Sequence, residues 1–405
     1  MRPARIAFIG QRGIPATVGG IEHHVEEIGA RLAERGHEVT VYTRGNYTRE
    51  RLAEHRGMRV RYVPTVPTKR LEALVHSGLS TVHAMLPGEA APDILHYHAL
   101  GPSVFTPLPR ALSSRRIVVT IHGLDYDREK WGLGARTSLR TAAWISAHAP
   151  HATITVSRNL AEHYLERYGR IAHHIPNGVA PPVARPPRLM TERWGLAGGD
   201  YILFLGRLVP EKAPDLLLRA FQRVETGHRL VLAGGSSFTD GYVQRLEALA
   251  AADPRIIMAG AVHGELRDEL YTNAAAFVLP SNLEGLPLTL LEAASYRLPV
   301  VASDIPPHLE VLQADAPGGR LFPRGDERGL SRTLTSVLRD LPLERGGARL
   351  IGDRVVLQYD WDAATDATEE LYASLLAARW PSSPRGGAPP LRRRDPASSA
   401  SPRLT

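Results

Sequence analysis

The sequence predicts an α/β protein with two doubly wound, parallel-sheet domains that face a central cleft. Short apolar segments alternate with amphipathic helical segments in both halves of the 405-residue chain, which is typical of a parallel sheet with helices on both faces. Between the halves lies APPVARPPR, residues 180–188, whose proline content indicates a linker. We therefore predict one domain over residues 1–180 and a second over residues 181–360.

The composition is that of a folded globular protein, with 43% hydrophobic and 22% charged residues. The chain contains no cysteine, which excludes disulfides and thiolate metal sites and fits a reducing compartment. The start, MRPARIAFIG, has too short an apolar run for a signal peptide, and no stretch reaches the roughly 20 apolar residues of a membrane span. We therefore expect a cytoplasmic location.

The basic charge is concentrated at the C-terminus. Of the net charge of +7, residues 381–405 carry +4, from five arginines and one aspartate. This segment is rich in Pro, Ser, Gly and Arg, so we predict a disordered basic tail. A solvated tail without a role is the simpler interpretation, and nonspecific peripheral contact with an anionic membrane is the alternative. No specific nucleic-acid partner is expected.

The chain begins with a short strand over residues 5–10 and a glycine-rich loop that joins it to an amphipathic helix. This junction places Gly19 and Gly20 at a helix N-terminus, where backbone can approach a phosphate closely. The loop is not a G-x-G-x-x-G motif. The next strand ends at Arg44 instead of the acidic residue that would hold an NAD ribose, which argues against a dinucleotide oxidoreductase.

Four more strands are predicted in the first half, at residues 59–63, 93–96, 116–122 and 153–156, and residues 157–178 are predicted to give a helix, a further short strand and a turn. Three histidines fall at the carboxyl ends of these strands, where ligands of parallel sheets bind: His96, His98 and His122. His96 and His98 offer two imidazoles, but no third ligand has the spacing of a metal site. We therefore expect one of the pair to face the cleft, the other to pack, and no metal to bind.

The second half repeats the pattern, with strands at residues 201–205, 229–233, 255–258, 276–279 and 300–302. The 276–279 strand leads into a loop with Glu284 and then into a helix that Pro287 opens. Glu292 lies inside that helix, roughly 7 Å beyond its start at ~1.5 Å per residue. Unpaired backbone N–H groups and the helix dipole favour an anion at the N-terminal end of this helix. Two carboxylates that flank an anion site suit a sugar and a ribose joined by a diphosphate.

A diphosphate next to two carboxylates requires cations, because burying uncompensated charge is costly. The segment GRLVPEK, residues 206–212, follows the first strand of this half and places Arg207 and Lys212 at the same strand-end edge. Arginine supplies a planar fork of donors and lysine a point charge. We predict that both contact the diphosphate.

Several of these segments together resemble the retaining glycosyltransferases of the GT4 family, which have the GT-B fold. The resemblance runs over residues 5–380 and rests on HGLD (122–125), GRLVPEK (206–212) and EGLPLTLLE (284–292). The segments GQRGIPATVGG (10–20) and KRLEALVHSGLS (69–80) resemble the rhamnosyltransferase-like polysaccharide subgroup. The resemblance implies transfer of a sugar, with retention, from a nucleoside diphosphate sugar to a glycan or lipid-linked acceptor in cell-surface polysaccharide biosynthesis. It implies no metal and no other cofactor.

The resemblance also implies roles for individual residues. Glu284 would orient the donor sugar, Glu292 would hold the ribose, and His122 would contact the sugar. The predicted donor contacts through backbone are Gly19, Gly20, Gly260, Val262, Gly285, Leu286 and Leu288. The helix over residues 361–380 would cross back onto the first domain.

Three positions depart from the family pattern or allow another interpretation. Pro287 stands where glycine is common and removes one N–H, and Ala180 replaces an acidic residue. HGLDYD contains Asp125-x-Asp127, a pattern that grips a metal-bound nucleotide in another glycosyltransferase class; we interpret it as loop structure or acceptor contacts. A nucleotide-sugar epimerase or hydrolase of the same fold, and a non-catalytic nucleotide-sugar-binding protein, remain alternatives.

Overall fold

The computed structural model describes residues 2–17, 19–48, 51–66, 68, 71–88, 91–124, 133–236 and 239–378. The predicted tail at 381–405, Asp125 and Asp127 lie outside the described residues.

The first half of the chain forms an eight-stranded sheet. Its strands are β1 (Arg5–Ile9), β2 (Glu38–Arg44), β3 (Glu54–His55), β4 (Met58–Val63), β5 (Ile94–His98), β6 (Arg116–Ile121), β7 (Ala152–Thr155) and β8 (His173–His174). The spatial order is β3-β4-β2-β1-β5-β6-β7-β8, and the β3–β4 hairpin is antiparallel. The other neighbouring pairs are parallel. β3 was missed because two residues cannot show an apolar period, whereas the short strand predicted between residues 157 and 178 is β8.

The helices of this half are α1 (Gly20–Glu34), α2 (Glu72–Met85), α3 (Leu100–Ser103), α4 (Pro107–Leu112), α5 (Leu133–His148) and α6 (Arg158–Tyr168). α1 follows the predicted period and buries Val25, Ile28 and Leu32 against the sheet. β1 pairs with both β2 and β5, so the strand order reverses at this point. The glycine loop after β1 and the histidines of β5 therefore share one edge of the sheet.

The second half forms a six-stranded parallel sheet in the order β11-β10-β9-β12-β13-β14. These strands are β9 (Tyr201–Leu205), β10 (Arg229–Ala233), β11 (Ile256–Gly260), β12 (Ala276–Leu279), β13 (Val300–Ser303) and β14 (Gly319–Phe322). The helices are α7 (Leu189–Trp194), α8 (Pro214–Gln222), α9 (Asp240–Ala250), α10 (Gly264–Asn273), α11 (Leu288–Ser295), α12 (Pro306–Leu312), α13 (Glu327–Arg339) and α14 (Leu341–Gln358). β9 and β12 are neighbours at the reversal of strand order, so the loops that carry Lys212 and Glu284 start side by side.

The last described helix, α15 (Trp361–Ala377), packs on the first half of the chain. Trp361, Leu371 and Tyr372 join the apolar core that contains Ile28 of α1. Arg31 of α1 and Arg35, which directly follows α1, pair with acidic residues of α15, Asp362, Asp366 and Glu369. The two chain segments that connect the halves are joined by a hydrogen bond from Val179 N to Tyr359 O, 2.8 Å long.

None of the helices that the structure describes is both long and apolar enough to cross a lipid bilayer.

Candidate active site

The loop between β12 and α11 lies at the centre of the cleft. β12 is fully buried, and the loop after it carries Glu284 before α11 begins at Leu288. The N–H groups of Leu290 and Leu291 donate to Pro287 O, so the amides ahead of them lie at the open end of the helix. That end carries the positive pole of the helix dipole and suits an anion.

Glu284 and Lys212 form a nearly buried ion pair beside this helix end, with side chains 9% and 12% exposed. Lys212 Nζ donates to Glu284 Oε1. Burial would raise the pKa of the Glu284 carboxyl, but the positive charge of Lys212, the influence of His308 and the hydrogen bond from Lys212 outweigh it. The pKa of Glu284 therefore lies below its ordinary value, and the carboxylate is ionised at neutral pH.

Backbone hydrogen bonds hold the neighbouring loops in register with one another. Asn282 N donates to Glu211 O over 2.8 Å, which links the Glu284 loop to the turn that ends in Lys212. Gly206 N donates to Ala233 O, and Gly234 N donates to Gly260 O over 2.7 Å. A Cβ on Gly234 would lie 1.8 Å from Gly206 O, so only glycine permits this approach. The loops after β9, β10, β11 and β12 thus form one connected rim.

The two halves of the chain touch across the cleft at this rim. A Cβ on Gly285 would lie 1.9 Å from His122 O, the carbonyl that follows β6. A Cβ on Gly20 would lie 3.4 Å from Leu288 Cδ1, so the N-terminal ends of α1 and α11 are close neighbours. Gly19, which precedes α1, has φ 107°, a left-handed conformation that favours glycine. Two helix ends and the His122 loop therefore surround the Lys212–Glu284 pair.

His122 is half-buried and lies beside the buried histidines His24 and His98. His122 Nε2 lies 3.3 Å from His98 Nδ1, and the His24 ring of α1 lies 4.7 Å from the His122 ring. Burial, the influence of His24 and that of His96 lower the pKa of His122 well below its ordinary value. The ring is therefore neutral at neutral pH and can exchange hydrogen bonds with a sugar hydroxyl.

Sequence comparisons agree with this geometry. The family model described as Glycosyltransferase Family 4 matches residues 18–181, and the model described as Glycosyl transferases group 1 matches residues 199–340. A GDP-mannose-dependent α-(1-6)-phosphatidylinositol monomannoside mannosyltransferase of Mycolicibacterium smegmatis is 31% identical over 318 residues, which are 71% of this chain and 78% of that protein. The chain belongs to the GT4 family of glycosyltransferases.

Other relatives extend the similarity along the chain. A glycogen synthase of Mycobacterium tuberculosis is 26% identical to this glycosyltransferase over 93% of this chain and 95% of its own. Sucrose-phosphate synthase of Thermosynechococcus elongatus superposes with a TM-score of 0.80 at 22% identity, covering 92% of this chain and 99% of its own. Anabaena HepE in complex with UDP and glucose has a TM-score of 0.76 at 19% identity, covering 92% of this chain and 100% of its own. The predicted GT-B fold is thereby confirmed.

The fold brings most of the predicted residues of this glycosyltransferase to the cleft. Arg207 and Lys212 follow β9, and Glu284, Gly285, Leu286 and Leu288 follow β12. Gly260 ends β11 with φ +68° and is exposed, whereas the Val262 side chain is buried, which leaves its backbone as the predicted contact. His96 does not face the cleft: its Nδ1 lies 2.5 Å from Tyr372 Oη and its Nε2 lies 2.7 Å from Thr120 Oγ1. His98 is buried too, so neither ring is exposed to the cleft, and the prediction that one of the pair faces it is wrong.

Four residues of the site were missed from the sequence. Tyr271 Oη donates to Glu292 Oε2 over 2.9 Å, and Arg267 Nη1 lies 3.6 Å from Glu292 Oε1. Burial and the charge of Glu292 raise the pKa of Tyr271 well above its ordinary value, so the phenol stays protonated and donates. His308 influences Glu284, and His24 contacts His122. All four lie on helices, whereas most of the candidate residues taken from the sequence lie at strand ends and in the loops that follow them.

Replacement of Glu292 by glutamine tests its predicted contact with the ribose. The amide keeps the shape and still accepts from Tyr271, but it loses the charge that strengthens hydrogen bonds from hydroxyls. We expect the KM for donor to rise about 10-fold or more with kcat little changed, since a charged hydrogen bond contributes about 1.5–3 kcal/mol. Glu265→Gln on the exposed surface is the matched control and should leave both constants unchanged. A fall in kcat alone would contradict the assignment.

Proposed function

We propose that this glycosyltransferase moves a sugar, with retention, from a nucleoside diphosphate sugar to a glycan or lipid-linked acceptor in cell-surface polysaccharide biosynthesis. The observation that carries the proposal is the buried Lys212–Glu284 pair at the mouth of α11, faced by α1 and His122 from the other half. Two similar proteins support the donor class: one is a GDP-mannose-dependent mannosyltransferase, and the HepE structure is a complex with UDP and glucose.

In this proposal, the cations act on the leaving group. Lys212 is already held by Glu284 and turns its remaining donors toward the diphosphate, with Arg207 from the same loop and the N-terminal end of α11 beside it. Two side-chain cations and the positive end of the α11 dipole thus face the roughly two negative charges of the diphosphate. With this compensation, the reaction needs neither a metal nor another cofactor. The bond between the anomeric carbon and the diphosphate oxygen breaks, and the acceptor hydroxyl bonds to the same face. Its proton passes to the departing phosphate.

The carboxylates hold the two ends of the donor. Glu284 accepts hydrogen bonds from hydroxyls of the sugar and Glu292 from the ribose, while backbone of Gly260, Val262, Gly285, Leu286 and Leu288 contacts the remaining donor atoms. Gly19 and Gly20 approach the phosphates from α1. Neutral His122 contacts the sugar on the acceptor side. Closure of the two halves excludes water and limits hydrolysis of the donor.

The pathway and location belong to the same proposal. The segment at residues 10–20 supports the rhamnosyltransferase-like subgroup by resemblance. A cytoplasmic enzyme would meet nucleotide sugars where they are made, and the basic residues of 381–405 give an electrostatic reason for peripheral contact with anionic lipid at the inner membrane face.

A thermal-shift screen against UDP-, GDP-, dTDP- and ADP-sugars tests donor binding. A donor at 100 times its Kd stabilises the native state by about 2.7 kcal/mol, which raises Tm by roughly 2–4 °C. We expect one base to produce this shift. Product analysis with that donor, labelled in the sugar, should show label in a glycan or lipid acceptor. Turnover without an acceptor would indicate an epimerase or hydrolase instead, and no shift with any donor would contradict the proposal.

A further inference from the structure

A cluster of three histidines lies where the first half of the chain meets the cleft. We call His24 of α1, His98 of β5 and His122 the three-histidine cluster. One ring nitrogen of each lies within 4.8 Å of the corresponding nitrogens of the other two. Within the cluster, His98 Nδ1 and His122 Nε2 lie 3.3 Å apart. The sequence offered no third ligand for a metal here; α1 supplies it from more than 70 residues away.

These distances suit a tetrahedral metal ion. Zinc binds imidazole nitrogen at 2.0–2.1 Å, so two ligands of a tetrahedral site stand about 3.4 Å apart. His98 and His122 already have this separation. The remaining nitrogens need to close by at most about 1.4 Å to reach this separation.

The hydrogen bonds around the cluster separate a candidate ligand from a neighbouring histidine that is not one. His24 Nδ1 lies 2.8 Å from Asn177 Oδ1, an arrangement that fixes the ring and leaves Nε2 as the nitrogen available to a metal, as for metal-bound histidines. His96, which stacks on His98 at 4.4 Å, has both nitrogens hydrogen-bonded and is not a ligand.

We propose that His24, His98 and His122 bind one divalent transition-metal ion of the zinc type, with the fourth coordination position open to the cleft. His24 and His98 are buried and His122 is partly exposed, so the ion enters and leaves on the His122 side. A bound ion takes up His122 and withdraws it from the sugar. The ion therefore inhibits transfer, in keeping with a reaction that needs no metal. The inhibition rests on the proposed function, whereas the binding does not.

Titration of the untagged, EDTA-stripped full chain with ZnCl₂ against a chromophoric chelator measures the binding. We expect one zinc per chain, and X-ray absorption at the zinc edge should show three imidazole nitrogens. His98→Gln and Asn177→Ala should weaken binding by at least about 10-fold, the second without removing a ligand. Circular dichroism establishes that each variant is folded. His76→Gln removes a buried histidine outside the cluster and is the matched control, which should bind zinc as the wild type does.

Three results would overturn the site: no stoichiometric zinc, fewer than three imidazoles in the absorption spectrum, or wild-type affinity in both folded variants. Inhibition is tested separately, by adding zinc to the transfer assay and restoring activity with EDTA. If zinc binds without inhibiting, the proposed inhibition through His122 is wrong and the proposed zinc site is retained. Failure of the proposed function would appear as no transfer with any donor before zinc is added, while the binding titration would be unaffected.

Discussion

Lys212→Ala should lower kcat/KM by about 10²–10³-fold, the usual cost of removing one preorganised group that stabilises developing charge. The variant loses a cation that we propose faces the leaving diphosphate, and it leaves the buried Glu284 carboxylate without the Lys212 ion pair. Steady-state kinetics with the donor found by thermal shift measure the effect. Arg223→Ala breaks an exposed ion pair with Glu327 on α13 and is the control, expected to keep wild-type activity.

The same variant should also reverse the direction in which ionisation of Glu284 changes the stability of the protein. In the wild type, the pKa of Glu284 is lower in the folded than in the unfolded chain, so its contribution is present above about pH 4.5 and is lost as pH falls. Without Lys212, burial dominates and raises that pKa, so stability falls as pH rises above about 4.5. In urea unfolding, we expect the free energy of unfolding of the variant to be about 3–5 kcal/mol lower than that of the wild type at pH 7. This difference should narrow as the pH falls toward 4. Near wild-type activity, together with a difference in free energy of unfolding that does not change with pH, would contradict the proposed role of the Lys212–Glu284 pair.

Gly285→Ala should lower activity by about 10²-fold while the chain stays folded. The new Cβ would stand 1.9 Å from His122 O and 3.2 Å from Gly123 N, and these atoms are backbone that cannot rotate away. The Glu284 loop and the His122 loop must therefore move apart by about 1 Å or more, and a displacement of this size in a reacting geometry costs about 10²-fold in rate.

Gly241→Ala is the matched control for this substitution. Gly241 lies in α9, and a Cβ added there would have no other group within 4 Å, so alanine should leave activity unchanged and stabilise the helix by about 0.5–1 kcal/mol. Kinetics and circular dichroism of the two variants separate the collision from any general effect of alanine. Full activity in Gly285→Ala would show that the contact between the loops is not part of the working site.

Local sequence patterns predicted the strands of both sheets except β3 and β14. They also placed Lys212 and Glu284 after β9 and β12, whose carboxyl ends lie at the same edge of one sheet. The patterns missed β3, which is too short to have a period, β14, whose sequence GRLF has only two apolar residues, and the site residues Tyr271 and His24, which lie on helices. Contacts such as Tyr271 with Glu292 depend on how α10 and α11 pack, which residue order alone does not specify.

The amino-acid sequence by itself determined the two-sheet α/β architecture, the glycine loop, and the acidic and basic residues at the strand ends, since these follow from period, composition and motif spacing. Only the tertiary structure decided that Lys212 pairs with Glu284, that Gly285 meets His122, and that His24 completes a cluster with His98 and His122. Each of these contacts joins segments more than 70 residues apart. Their distances depend on how the strands are ordered and how the two halves pack, and those arrangements exist only when the whole chain has folded.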